Sequence, residues 1–274
     1  MSKSAISRRN TLIPREVDVA QEGSYRPVDG DRVAFLASYS AEARVSKSLA
    51  EFIRQLRALN YEVILIRASD NPAPLEWPGN APADVVVLRK PNLGYDFGSW
   101  AVGMDRFSEL LSREFVLLVN DSLVGPFATI EPIIRDFEEA VCDAWGVTRS
   151  TQFMPHLQSY FLGFKNQTLC DPSVRQFWNN LPIETDKNTI VQLYEMTFTR
   201  LLFAEGFVAT ACFESARVVI EGENPTIVGW RRLLDLGFPF IKRTIVAAPD
   251  LVSDGWSISA TVQKYFDANV VDWL

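Results

Sequence analysis

Four short apolar runs, at residues 33–38, 61–66, 84–88 and 115–119, constrain the fold of this chain most. Rich in Val, Ile and Leu, they read as strands, and the unbroken run 115–119 reads as one buried on both faces. A helical pattern at residues 46–59 separates the first two, with Leu49, Phe52, Ile53, Leu56 and Leu59 on one face. Ser48-x-x-Glu51 offers a capping box at its start and Asn60 a cap at its end. A Pro/Asn/Gly-rich loop leads to the third run, and a second helix follows with Trp100, Met104, Phe107 and Leu111 on one face. This βαβ succession predicts an α/β fold around a right-handed, mainly parallel sheet. Ligands of such sheets bind at the carboxyl ends of the strands. There the chain places two polar clusters, Asn92-Leu-Gly-Tyr-Asp-Phe-Gly98 and Asn120-Asp121-Ser122.

The second half is patterned more loosely. Helices are predicted at residues 130–140, 173–179, 189–204, 225–236 and 262–268, and strands at 159–164, 208–212 and 217–220. With no repeat, low-complexity tract or linker, residues 31–250 read as one domain. Residues 1–30 are polar and aperiodic, a flexible arm or loose surface wrap without the apolar core of a secretion signal. Residues 251–274 read as a helical extension. The net charge of −7 argues against a nucleic-acid partner. Three scattered cysteines give neither a disulfide framework nor a zinc site and suggest a reducing compartment. A single histidine rules out a multi-histidine metal site.

Each polar cluster has a functional and a structural reading. Gly94 and Gly98 bracket Tyr95-Asp96-Phe97 at a helix start, where a backbone admits an anion, or where Asp96 simply caps the helix. Asp121 offers a carboxylate to a hard divalent cation, Mg²⁺ or Mn²⁺, or closes an Asx-turn. Trp145, His156, Gln158, Ser159 and Tyr160 suit a carbohydrate pocket, or a core strand with a structural histidine. Glu195 is a candidate general base on a polar helical stripe, or part of a solvated face. Lys242 and Arg243 suit a diphosphate, or the open surface.

Taken in order, these clusters resemble the rhamnan synthesis protein F family of polysaccharide-assembly proteins. The matching stretches are Asn92-x-Gly-Tyr-Asp-Phe-Gly-x-Trp100, Leu118-x-Asn-Asp-Ser122 with Gly125-Pro126, Trp145-Gly-x-Thr148 and His156-Leu-Gln-Ser-Tyr-Phe161. Tyr194-Glu195, Asn224-Pro-Thr226 with Trp230, and Gly237-Phe-Pro-Phe-Ile-Lys-Arg243 continue the match, which covers most of residues 33–245. More distantly, the order of parts is similar to that of inverting GT-A glycosyltransferases. That resemblance implies a GT-A-like (Rossmann-like) mainly parallel central sheet flanked by helices, with a nucleotide-binding half at 31–127 and an acceptor-binding half at 128–250.

The resemblance also implies transfer of a sugar, rhamnose above all, from a nucleotide-sugar donor to a growing cell-surface polysaccharide. Ser38, Tyr39, Asp70, Asn92, Gly94, Tyr95 and Asp96 would then line the nucleotide. Asp121, through a divalent cation, and Lys242 or Arg243 would face the diphosphate. Trp145, His156, Gln158, Ser159 and Tyr160 would meet the glycan acceptor, and Glu195 would be the base. A cytoplasmic protein in peripheral contact with the inner membrane or an assembly complex is expected, its amphipathic segment 258–274 being the available anchor. Asn-Asp-Ser departs from the two-carboxylate Asp-x-Asp pattern. That keeps a second function class open, a non-catalytic sugar- or nucleotide-binding component of an assembly complex. The turn after residues 33–38 lacks the glycines a nicotinamide dinucleotide requires.

Overall fold

The computed structural model describes residues 11–183 and 191–274. Its strands are β1 (Thr11–Leu12), β2 (Ala20–Glu22), β3 (Arg32–Tyr39), β4 (Glu62–Ala68) and β5 (Val85–Lys90). They continue with β6 (Phe115–Asn120), β7 (Leu123–Val124), β8 (Ala144–Ser150), β9 (His156–Leu157) and β10 (Phe161–Phe164). Last come β11 (Leu181–Pro182), β12 (Ala209–Phe213) and β13 (Ile241–Lys242). Nine of these form one mixed sheet in the order β12-β8-β10-β6-β3-β4-β5-β2, with β9 pairing β8. The centre β6-β3-β4-β5 is parallel, β10 and β2 run antiparallel to their neighbours, and β12 is parallel to β8.

Strand alternation sends side chains to two cores. From β3, Val33, Phe35 and Ala37 enter one core, closed by α2 (Tyr95–Arg106) through Phe97, Trp100 and Met104. Ala34 and Leu36 enter the other. That face is closed by α1 (Lys47–Ala58) through Leu49, Phe52, Ile53 and Leu56, and by α3 (Glu131–Glu139). Burying both faces is what makes the central runs continuously apolar. A third cluster joins Val124, Trp230, Ile241 and Ile245 to Val262, Val270 and Trp273.

The parallel centre begins at β3, moves out through β4 and β5, then returns to the other side of β3 as β6. The reversal between β3 and β6 is a topological switch point, where open α/β sheets form their binding crevice.

Several sequence expectations shift. Ser46, not Ser48, caps α1, its hydroxyl accepting from Leu49 N–H at 3.2 Å. Ser48 lies one turn in and donates to the Trp273 carbonyl at 2.5 Å, while Glu51 pairs with Arg54 instead of closing a capping box. Asn60 does take the left-handed conformation that ends the helix, at φ 64°. In the expected arm, residues 1–10 lie outside the described residues. The remainder carries the edge strand β2 and a buried Leu12 beside Gly94 and Gly98, so it is part of the sheet assembly. It escaped notice because lone apolar anchors leave no periodicity.

Residues 217–220 do not form a strand. Ser215–Val218 make one helical turn, packing Val218 and Val219 against Gly229, and Ile220 is left exposed. Tertiary packing there overrides a β-branched run. Residues 225–229 precede a shorter helix, Trp230–Asp235, and the C-terminal helix is Ile258–Phe266. The expected helix 189–204 begins outside the described residues. Its described part is a π-helical segment, Val191–Met196, followed by the α-helix Thr197–Ala204.

Candidate active site

Two strand ends meet at the switch point. Ser38, closing β3, donates its hydroxyl to Asp121 Oδ2 at 2.6 Å. The Asp121 N–H donates to the Ala37 carbonyl of β3 at 3.2 Å. Asn120, not Asp121, makes the turn: its Oδ1 accepts from Ser122 N–H at 3.1 Å and from the Ser122 hydroxyl at 2.5 Å. The Asn120 amide, with its other end, donates to Asp96 Oδ2 at 2.7 Å. One buried asparagine thus couples the two polar clusters that the sequence holds 24 residues apart.

Both carboxylates pay for their positions. Burial first, and then the negative charge of Asp121, push the Asp96 carboxyl up to about 7, against the pull of Lys242 and the Asn120 hydrogen bond. Burial also raises Asp121, opposed by Ser38 and Arg243. Glu195 adds to the repulsion at Asp96, which brings it within electrostatic reach of the pair.

The cations arrive from the far end of the chain. β13 pairs with β7 so that Lys242 lies opposite Leu123, and Arg243 N–H donates to the Ser122 carbonyl at 2.9 Å. Lys242 Nζ donates to the Ser122 hydroxyl at 2.8 Å and lies 4.9 Å from the Tyr160 ring centre. Arg243 Nε donates to the Asp121 carbonyl at 3.3 Å.

A polar wall completes the site. Ser159 donates its hydroxyl, and its N–H at 3.2 Å, to Glu195 Oε1. Glu195 stands in the π-helical segment, a local widening often found at functional positions. His156 is buried, with Nδ1 2.8 Å from the Met154 carbonyl and Nε2 3.6 Å from Glu195 Oε2. Tyr160, its phenol pushed far up by burial, shares a 2.8 Å hydrogen bond with Thr148. Thr148 also donates to Gln158 Oε1 at 2.7 Å, and Gln158 Nε2 donates to Asn224 Oδ1 at 3.2 Å.

The fold therefore gathers Ser38, Asp96, Asp121, Ser159, Tyr160, Glu195, Lys242 and Arg243, with Gln158 and His156 behind them. Tyr39 at the end of β3, Asp70 and Asn92 on the loops after β4 and β5, and Tyr95 at the start of α2 are exposed, and Gly94 caps α2 at φ 75°. Trp145 stands apart. Its ring is fully buried against Phe137 and Phe161 and its N–H is spent on Asp136 at 2.8 Å, so no face of it is open to a sugar.

One residue went unread in the sequence. Lys90 is fully buried at the end of β5, donating to the carbonyls of Pro91 and Leu93, both at 2.8 Å. Burial presses it down to about 8, against the attraction of Asp96 and Asp70. It pins the loop that carries Asn92 and Gly94. A lysine closing a Val-Val-Val-Leu strand directly before proline was the available signal.

The oxygen-only donor set of Asp96 and Asp121 suits a hard divalent cation. Burial and mutual repulsion oppose ionisation of this pair, and a cation would relieve both. Among the described residues no group of three or more His, Cys, Asp or Glu side chains is disposed to hold a metal ion. Water and substrate oxygens would have to complete such a shell. Among the same residues no helix is long and apolar enough to cross a membrane.

The chain is 29% identical over 223 residues to the virulence protein VirA of Vibrio anguillarum, covering 70% of this chain and 71% of that protein. It is 24% identical over 155 residues to the uncharacterized protein y4gN of Sinorhizobium fredii, covering 55% of this chain and 40% of that protein. The model of one family, described as rhamnan synthesis protein F, matches residues 82–269. The match starts later than the expected residue 33 and runs past the C-terminal helix Ile258–Phe266. It takes in the Gly-Tyr-Asp-Phe-Gly turn, Asn120-Asp121-Ser122, the wall from His156 to Glu195 and the two cations, and on that ground this chain belongs to the rhamnan synthesis protein F family.

Proposed function

We propose that this protein is a glycosyltransferase of polysaccharide assembly, with a GT-A-like arrangement of parts. It would move a sugar, rhamnose by the family's name, from a nucleotide-sugar donor to a growing glycan with inversion at the anomeric carbon. One observation carries the reading: paired carboxylates and paired cations converge at the switch point of the sheet, beside a polar wall that holds Glu195.

The nucleotide lies over the ends of β3 to β5, along Tyr39, Asp70, Asn92 and Tyr95. Lys242 and Arg243 meet the diphosphate as charge builds on it. Asp121 and Asp96 would hold a divalent cation, which when bound would draw off part of that charge. Glu195 takes the proton from the acceptor hydroxyl as its oxygen attacks the anomeric carbon. Ser159 fixes the carboxylate during that step, and Tyr160 and Gln158 border the acceptor. Trp145 has no part in the site. The protein works at the cytoplasmic face of the membrane, where the assembling glycan is its partner.

Calorimetric titration with dTDP and UDP, each with and without Mn²⁺, tests this on the native protein and on Asp121→Ala. Metal-enhanced binding of one nucleotide, lost in the variant, is expected. Binding of neither nucleotide under any condition would overturn the reading. It would then favour a non-catalytic binding component, a role consistent with the single carboxylate of Asn120-Asp121-Ser122.

A further inference from the structure

The two oxygens of Glu195 differ in their surroundings. Oε1 receives two donors from Ser159, while Oε2 faces His156 Nε2 at 3.6 Å. The state of that ring is set from its far side. A backbone carbonyl can only accept, so the Nδ1 that lies 2.8 Å from the Met154 oxygen must carry a proton. In the neutral ring Nε2 is then a bare lone pair. Two acceptors face each other across a gap too long for a hydrogen bond. A proton placed on Oε2 turns them into donor and acceptor.

Resting on the transferase reading, we propose that His156 receives the proton that Glu195 takes from the acceptor. The acceptor O–H bond breaks as its oxygen bonds to the anomeric carbon. The bond from that carbon to the donor diphosphate breaks, its electron pair leaving with the phosphate oxygen. The acceptor proton passes to Glu195 Oε2 and on to His156 Nε2. This leaves an imidazolium beside a restored carboxylate, and release of the proton to water resets the pair. His156 acts through Glu195, as a positioning residue and proton store, and does not read the sugar.

Among the described residues, the following charges stand near the pair. His156 lies on β9 opposite Ser150 of β8, where the neighbouring Arg149 is held by Glu214 at 3.1 Å. Among the described residues, Asp96 and the Tyr160 phenol are titratable groups that share a field with Glu195.

The chain has a single histidine, so the imidazole signals of a ¹⁵N–¹H correlation spectrum need no assignment. In the native protein without nucleotide, the neutral ring is expected to carry its proton on Nδ1. In Glu195→Gln, whose side-chain amide can donate where Oε2 cannot, the Nε2 signal is expected to move as that bare lone pair gains a hydrogen bond. A neutral ring protonated on Nε2, or an Nε2 signal unmoved by Glu195→Gln, would overturn the relay. If that variant does not fold, the native tautomer decides alone. The spectrum involves no nucleotide, so its failure is separable from failure of the calorimetry, which bears on the transferase reading itself.

Discussion

Asp96→Asn should make this protein more stable at pH 8 while changing little at pH 4.5. The folded chain holds the Asp96 proton up to a pH of about 7, whereas the unfolded chain releases it near the ordinary 3.8. Between those limits the folded state binds more protons, so stability falls as pH rises. The penalty is complete above pH 7. At about 1.4 kcal/mol per pH unit the full separation amounts to about 4 kcal/mol. The carboxylate is partly open to the cleft, so about 2–4 kcal/mol is the range to expect. Asparagine keeps an oxygen for the Asn120 amide, which isolates the charge as the change. Urea unfolding of both proteins from pH 4.5 to pH 8 reads the effect, with equal m-values as the check that the unfolded states match. The gap between the two stability curves should open through pH 5–7 in favour of the variant. Parallel curves, or a gap that closes with rising pH, would refute the reasoning.

Lys242→Ala should weaken binding of a nucleoside diphosphate by about tenfold to a hundredfold, the worth of one charge-assisted hydrogen bond. A nucleoside monophosphate should lose less, and calorimetry with both ligands separates the two. Gly98→Ala would set a Cβ 2.4 Å from the Leu93 carbonyl oxygen. It should cost about 1–3 kcal/mol in urea unfolding, since backbone must give way. Ser48→Ala removes a hydroxyl that serves both the Trp273 carbonyl and the Gly125 N–H at 3.1 Å. A loss of about 1–3 kcal/mol is expected from the buried groups left unpaired, and a loss under a few tenths would contradict it.

The sheet's centre was legible because burial on both faces writes itself into sequence as unbroken Val, Ile and Leu. α1 was legible because it packs one face against that sheet, and α2 because its large apolar residues recur at helical spacing. What stayed hidden depends on partners far away in the chain. Nothing near Asn120 says that its amide will reach Asp96, and nothing near Ser48 says that Trp273 will need its hydroxyl. Trp145 looked like a sugar platform because an aromatic residue among amides has the same composition whether it faces a cleft or a core. The π-helical segment under Glu195 has no periodic signature of its own and follows residues outside the described ones.

The pairing of β13 with β7 carries one more consequence. Lys242 reaches Ser122, and Arg243 reaches Asp121, because Lys242 stands opposite Leu123 and Arg243 follows at Ser122. A strand slipped by a single residue presents every side chain to the opposite face. Removing one residue from the stretch 237–241 would therefore turn the Lys242 ammonium away from Ser122 while leaving the chain's composition almost untouched. The spacing of this ribbon is a heritable quantity in its own right, and relatives that keep both cations but differ there in length should not keep this charge arrangement.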